Sequence, residues 1–179
     1  RGRSLKVHSG GQVRPTSDKV RQALFNILSH RCEVSWEGAR VLDLYAGSGS
    51  LGLEALSRGA GTVVFVESNR KVVAVLKENI RSVRGHLKNQ DEGSIESHVR
   101  VMTVNKALSS PPDQPYHVIL IDPPYALNAG HQLLERLDAL WLHPEGFVVI
   151  EHERRDLFEV PNRWTLNVRR LYGDTHISI

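Results

Sequence analysis

The sequence predicts an α/β fold built on a mainly parallel sheet covered by helices on both faces. Three observations lead there. From residue 40 onward, short apolar runs of strand length alternate with segments of helical periodicity. A glycine loop, Gly47-Ser48-Gly49-Ser50-Leu51-Gly52, joins one such run to a helical segment. The corner Asp122-Pro123-Pro124-Tyr125 follows another run, Tyr116–Ile121. Both loops therefore fall at carboxyl ends of strands, where parallel sheets bind their ligands.

The elements follow in order. Residues 1–14 are polar and basic, with a short apolar alternation around Leu5 and Val7, and read as an arm or small hairpin. Pro15-Thr16-Ser17 offers an N-cap, and Val20, Ala23, Leu24, Ile27 and Leu28 recur at i, i+3, i+4, i+7 and i+8, an amphipathic helix of about three turns. Arg40–Tyr45 is a buried strand. It leads through the glycine loop into a helix from Ser50 to Arg58, closed by Gly59. Thr62–Glu67 is the second strand and Arg70–Arg81 the second helix of the alternation. Residues 82–97, polar and interrupted by glycine, form a long loop. Val99–Val104 and Tyr116–Ile121 are the third and fourth strands. A helix covers Asn128–Trp141, and Pro144-Glu145-Gly146 turns into the strand Phe147–His152. Two last strands lie near Leu166–Tyr172 and Thr175–Ile179. The expected organisation is a basic arm, 1–14, on one domain, 15–179.

The chain has 179 residues, 40% of them hydrophobic, enough for one sizeable core. No apolar run approaches the ~20 residues of a membrane span. Cys32 is the only cysteine, so no internal disulfide is possible; a reducing cytoplasm is expected, with Cys32 as a small buried hydrophobe. Charge is unevenly placed. Residues 1–31 carry seven basic residues against Asp18 alone, a net +6, while the rest carries sixteen basic against nineteen acidic, a net −3. A basic arm on a mildly acidic body suits a phosphate backbone, with a solvated terminus as the plain alternative.

The acceptor corner has a chemical logic. Asp122 accepts a hydrogen bond from an amine. The prolines restrict the backbone, so that the Pro123 carbonyl is held as a second acceptor. Tyr125 supplies a stacking face. Together they suit a planar exocyclic amine such as that of a nucleobase.

The glycine loop also matches a dinucleotide fingerprint, with Glu67 twenty residues beyond Gly47. Asp43, inside the preceding strand, tells against a pyrophosphate and in favour of a cationic ligand. S-adenosylmethionine has an amino-acid end, a ribose and an adenine but no phosphate. Glycines let backbone approach its amino-acid portion, and Glu67 is placed for both ribose hydroxyls.

In order along the chain stand R-P-T-S-D at 14–18, L-F-N at 24–26, L-D-L-Y-A-G-S-G-S-L-G-L-E-A-L-S-R-G at 42–59, V-E-S at 66–68, D-P-P-Y at 122–125 and Y-G-D-T at 172–175. On these residues the chain resembles the bacterial 16S ribosomal RNA guanine-N2 methyltransferases, over nearly its whole length. The resemblance implies a doubly wound, Rossmann-like S-adenosylmethionine-dependent fold. Its sheet would have seven strands, the last pair antiparallel, and its target would be a guanine of the guanine-966 type. It also implies that Asp43, Gly47, Gly49 and Glu67, with Tyr45, Ser48 and Ser68 beside them, hold the cofactor. Asp122, Pro123, Pro124 and Tyr125 would hold the base. Two features depart from the family: Asn105 stands where an acid usually follows the third strand to accept the adenine amino group, a bond that its amide oxygen is still expected to accept as part of the cofactor site, and the 82–97 loop is longer and more polar.

The expected partner is 16S ribosomal RNA or the assembling small subunit, bound by a monomer without a metal. Arg1, Arg3, Lys6 and Arg14 would grip phosphates, with Arg163, Arg169 and Arg170 as weaker candidates. His152 and His176 are expected to be surface or satisfied core groups, and Trp36, Trp141 and Trp164 packing residues. Ser48 and Ser50 have no general-base partner in the sequence. Two other classes remain beside this reading. One is a DNA adenine or cytosine amino-methyltransferase, which shares the D-P-P-Y chemistry. The other is a non-enzymatic RNA-binding assembly factor on the same fold.

Overall fold

The computed structural model describes residues 18–87, 95–124 and 130–179. Its centre is a seven-stranded sheet built from β1 (Arg40–Leu44), β2 (Thr62–Glu67), β3 (Glu96–Val101), β4 (Tyr116–Ile121), β5 (Leu142–Glu153), β6 (Arg169–Tyr172) and β7 (Thr175–Ser178), in the order β3-β2-β1-β4-β5-β7-β6. The first five strands run parallel, and β7 is antiparallel to both of its neighbours. The strand order reverses between β1 and β4. A sheet of this kind opens its ligand crevice beyond the carboxyl ends at that switch point.

Strand alternation divides the core in two. Val41, Val63, Phe65, Val118, Leu120, Val149 and Ile177 face a cluster completed by α1 (Asp18–His30), α2 (Ser50–Ser57) and α3 (Arg70–Leu87). Leu42, Leu44, Val64, Val66, Ile119, Ile121 and Ile150 face the other, completed by α4 (Val104–Ala107) and α5 (Gly130–Arg136). The central strands are buried on both faces, which is why they read as unbroken apolar runs. Trp36 is buried with its ring 5.2 Å from that of Phe25, and its indole N–H donates to Ser29 Oγ at 2.9 Å. Trp141 is buried, Trp164 lies against the second cluster, and Cys32 packs half-buried against the first.

Several boundaries differ from the sequence expectation; β6, for one, begins at Arg169 rather than near Leu166. The helix expected over Arg70–Arg81 continues to Leu87, so the start of the expected 82–97 loop is helical. Val83 packs on the first cluster, and the Arg84 guanidinium donates to the Ile95 carbonyl and to Ser97 Oγ, tying the last turns to β3. Residues 88–94 lie outside the described residues. The third strand runs over Glu96–Val101 rather than Val99–Val104, because it pairs with β2 from Thr62↔Glu96 to Glu67↔Val101. Thr103 then caps α4, its Oγ1 accepting the Lys106 N–H at 3.3 Å.

The helix expected over Asn128–Trp141 is described only from Gly130 and stops at Arg136. Pro144-Glu145-Gly146 do not precede β5 but form a bulge within it. Tyr116 pairs with Leu142 and Val118 with Phe147, so three extra residues are looped out on β5. The N-cap expected at residues 15–17 and the arm at 1–14 lie outside the described residues. Among those residues, no helix is long and apolar enough to cross a membrane.

Candidate active site

The cofactor half begins where β1 ends. Tyr45 takes a left-handed conformation (φ 60°), and Gly47 and Gly49 follow at φ 55° and 89°. These backbone angles turn the chain from the strand into α2. Gly49 is held by its N–H to the Ala46 carbonyl at 2.7 Å, and a Cβ there would stand 2.4 Å from Leu76. Glu67, at the end of β2, braces the loop: its Oε2 accepts the Gly47 N–H at 3.0 Å and its Oε1 the Asn69 N–H at 2.7 Å. The Asn79 amide donates to the Ser48 carbonyl from α3 at 3.0 Å.

Asp43 lies beneath the loop, 1% exposed, rather than opening into it. Its Oδ2 accepts the Gly52 N–H in the first turn of α2 at 2.9 Å. Burial pushes its carboxyl up to about 7; the Gly52 bond works against that rise and the nearby Glu67 carboxylate adds to it. The glycine at 52 is obligatory for this contact. A Cβ would lie 2.4 Å from the Phe65 ring and 2.8 Å from Asp43 Oδ2.

S-adenosylmethionine fits this donor set. Bare backbone at Gly47, where a Cβ would meet nothing closer than 3.9 Å, leaves room for an amino-acid end. The Glu67 carboxylate at the loop, with the buried Asp43 carboxyl beneath it, favours a ligand carrying positive charge and hydroxyls and disfavours phosphate. Each Glu67 oxygen keeps a further lone pair for a ribose hydroxyl. Ser68 is exposed just after it.

Asn105 is exposed after β3 and is tied to α5. Its Oδ1 accepts from Arg136 Nη1, and its backbone carbonyl accepts from Arg136 Nη2 at 2.9 Å. A guanidinium only donates, so the amide oxygen faces Arg136 and keeps one further lone pair. Arg136 was not legible as a site residue, since nothing on α5 pairs it with position 105 in sequence.

The acceptor half is on the neighbouring strand. Leu44 pairs with Ile121, and the Asp122 N–H reaches the Leu44 carbonyl at 3.5 Å, so the Asp122-Pro123-Pro124 corner stands beside the glycine turn on the same rim. Asp122 is half-buried, Pro123 buried and Pro124 exposed; Tyr125 lies outside the described residues. A cleft of about 250 Å³ opens against the two prolines and runs along Ile150–Glu153 to Phe158. It is smaller than the roughly 300–1,000 Å³ of drug-sized sites, and neither Asp122 nor the glycine loop lines it. Glu151, 6% exposed, lines it and carried no motif in the sequence.

His152 also lines the cleft and is a satisfied group. Arg169 Nε donates to Ser178 Oγ at 3.0 Å, whose hydroxyl is then the donor to His152 Nε2 at 2.9 Å, while Nδ1–H faces the Glu153 carbonyl at 3.3 Å. Burial, and then the stacked His176, hold His152 below the usual histidine range and therefore neutral. Two of the weaker phosphate candidates prove to be engaged in the fold. Arg163 donates to the Leu134 carbonyl at 2.7 Å, and Arg169 lies over the Phe158 ring besides bonding Ser178. Arg170 is exposed. Arg1, Arg3, Lys6 and Arg14 lie outside the described residues.

Known proteins resemble the chain over nearly its whole length. The family described as Conserved hypothetical protein 95 matches residues 1–179. The ribosomal RNA small subunit methyltransferase D of Haemophilus influenzae is 35% identical, over 97% of this chain and 85% of its own length. Its Escherichia coli K12 namesake is 32% identical, over 97% and 81%. The solved structure of the Escherichia coli protein yhhF superposes with a TM-score of 0.76 at 32% identity, covering 99% of this chain and 91% of the other.

Proposed function

The chain belongs to the ribosomal RNA small subunit methyltransferase D family, S-adenosylmethionine-dependent methyltransferases of RNA, and from that premise we propose that it methylates the exocyclic N2 of one guanine in 16S ribosomal RNA, the guanine-966 type. The observation carrying this reading is the adjacency of the glycine loop and the Asp122-Pro123-Pro124 corner on β1 and β4.

When bound, S-adenosylmethionine supplies an electrophilic methyl group on a sulfonium. Gly47, Ser48 and Gly49 offer backbone to its amino-acid end beside Tyr45. Glu67 and Ser68 take the ribose, Asn105 borders the adenine, and Asp43 contributes negative potential from below.

The guanine is swung out of its stack, since its amine is not reachable within one. The Asp122 carboxylate accepts one amine hydrogen and the Pro123 carbonyl the other. This turns the nitrogen lone pair toward the donor side and stabilises the positive charge that develops on nitrogen. Holding the reacting atoms in line supplies a major share of the rate. Tyr125 stacks on the ring, Pro124 stiffens the corner, and the released proton passes to Asp122 or to water beside it. Arg1, Arg3, Lys6 and Arg14 hold the phosphates of the RNA or of the assembling small subunit, in the cytoplasm.

The test supplies methyl-labelled S-adenosylmethionine with 16S RNA, small subunits or DNA, then digests the product. Label in N2-methylguanosine from the ribosomal substrates is expected. Label in adenine or cytosine of DNA, or in no nucleoside, would overturn the reading.

A further inference from the structure

Extending the strand pairings by one residue brings Asp122 and Glu151 side by side. Ile121 pairs with Ile150, so the next residues, Asp122 and Glu151, share a level on neighbouring parallel strands about 4.8 Å apart. They also share a face. Val118 and Leu120 on β4 and Val149 on β5 pack into the cluster under α1, α2 and α3, and strand alternation carries that side to residues 122 and 151. Ile177, the partner of Glu151 on β7, belongs to the same cluster. The cleft is lined by four consecutive residues, Ile150 to Glu153, so it crosses the end of β5 rather than lying on one side of it.

We propose that Glu151 is the residue that selects guanine, by accepting a hydrogen bond from its ring N1–H. This rests on the reading of Asp122 and Pro123 as the holders of the 2-amine. With the amine at that corner, the neighbouring ring position falls toward the next strand, where Glu151 stands. Guanine presents N1–H there, a donor that a carboxylate accepts. Adenine and cytosine carry a ring nitrogen lone pair beside their amines, and a carboxylate meets that lone pair with repulsion. A site built to bond a substrate N–H rejects an analogue lacking it far more strongly than one that senses shape alone. Two acids in adjacent positions thus match the row of donors that only guanine, among the amino-bearing bases, offers.

The test uses a small-subunit ribosomal RNA fragment carrying either guanine or 2-aminopurine at the methylated position. 2-Aminopurine keeps the 2-amine but has an acceptor at N1 and lacks the 6-oxygen, so the ratio in the variant is the reading that isolates Glu151. For the unaltered protein, kcat/KM is expected to be roughly tenfold to a hundredfold lower on 2-aminopurine, the range for a lost hydrogen bond to a charged group. Glu151→Gln, whose amide donates as well as accepts, should lose at least about tenfold on guanine and bring the two substrates within about threefold, with S-adenosylmethionine affinity unchanged.

An unaltered guanine to 2-aminopurine ratio in the variant would overturn the proposal. So would equal use of both RNAs by the parent protein, an arm that needs no variant to fold. A parent protein that methylates no guanine N2 in either RNA would overturn the underlying reading as well, and the parent arm alone distinguishes that case.

Discussion

Asp43→Asn tests the physical state of the loop's foundation. The native carboxyl is pushed from an ordinary 3.8 up to about 7, chiefly by burial. Between those values the folded chain keeps a proton that the unfolded chain has released, so unfolding releases it and stability falls as pH rises. The rise corresponds to about 4 kcal/mol between pH 4 and pH 7, with a slope approaching 1.4 kcal/mol per pH unit within that window and none above about pH 8. Asparagine keeps the shape and an oxygen for the Gly52 N–H but does not titrate.

The assay is urea unfolding of ligand-free protein and variant across pH 4 to 8. Subtraction cancels the opposing contribution of His117, His152 and His176, whose lowered pKa values add stability as pH rises toward 6.5. The advantage of Asp over Asn should shrink steadily with pH and then level off. A difference that stays flat, or grows with pH as it would for a carboxylate held ionised, would refute the argument. The same group should surrender its proton as the cationic cofactor binds, so affinity should rise between pH 6 and pH 8.

Three further outcomes are expected, the first two from the geometry and the third from the charge of the N-terminal segment. Gly52→Ala drives a methyl group to 2.4 Å from Phe65 and 2.8 Å from Asp43, and should cost about 1–3 kcal/mol in a denaturation experiment while lowering cofactor affinity. Asp122→Ala should reduce turnover by at least about a hundredfold with cofactor affinity within twofold, measured by single-turnover labelling and equilibrium binding. Neutralising Arg1, Arg3 and Lys6 together should weaken RNA binding and reduce the slope of log K against log salt by roughly two to three; an unchanged slope would make the arm a mere tail.

The sequence disclosed the parts of the molecule whose physics is local. β2 and β4 agree with expectation to the residue because both are apolar runs buried on two faces and bounded by turn chemistry. β3 was misplaced because it is an edge strand of largely exposed residues, set by its pairing with β2 rather than by its own pattern. α3 outran its expected end because Val83 and Arg84 are anchored by residues far along the chain. Gly49 and Gly52 announced the loop, since only glycine tolerates those neighbours.

The contacts made by Asp43, Glu67 and Asn105 were not legible in the same way. Their types pointed to a ligand, but their first partners are Gly52, Gly47 and Arg136 within the fold. Glu151 was missed because an acid near the end of an apolar strand has no distinguishing spacing; only the register with Asp122 gives it meaning.

The most direct measurement is a crystal structure with S-adenosylhomocysteine, the demethylated cofactor, bound to this protein. Its sulfur should face the Asp122–Pro123 corner across the β1–β4 boundary, with the amino-acid end on the glycine loop. A sulfur directed away from that corner, or a cofactor seated elsewhere on the sheet, would contradict the claim that the two loops form one methyl-transfer site.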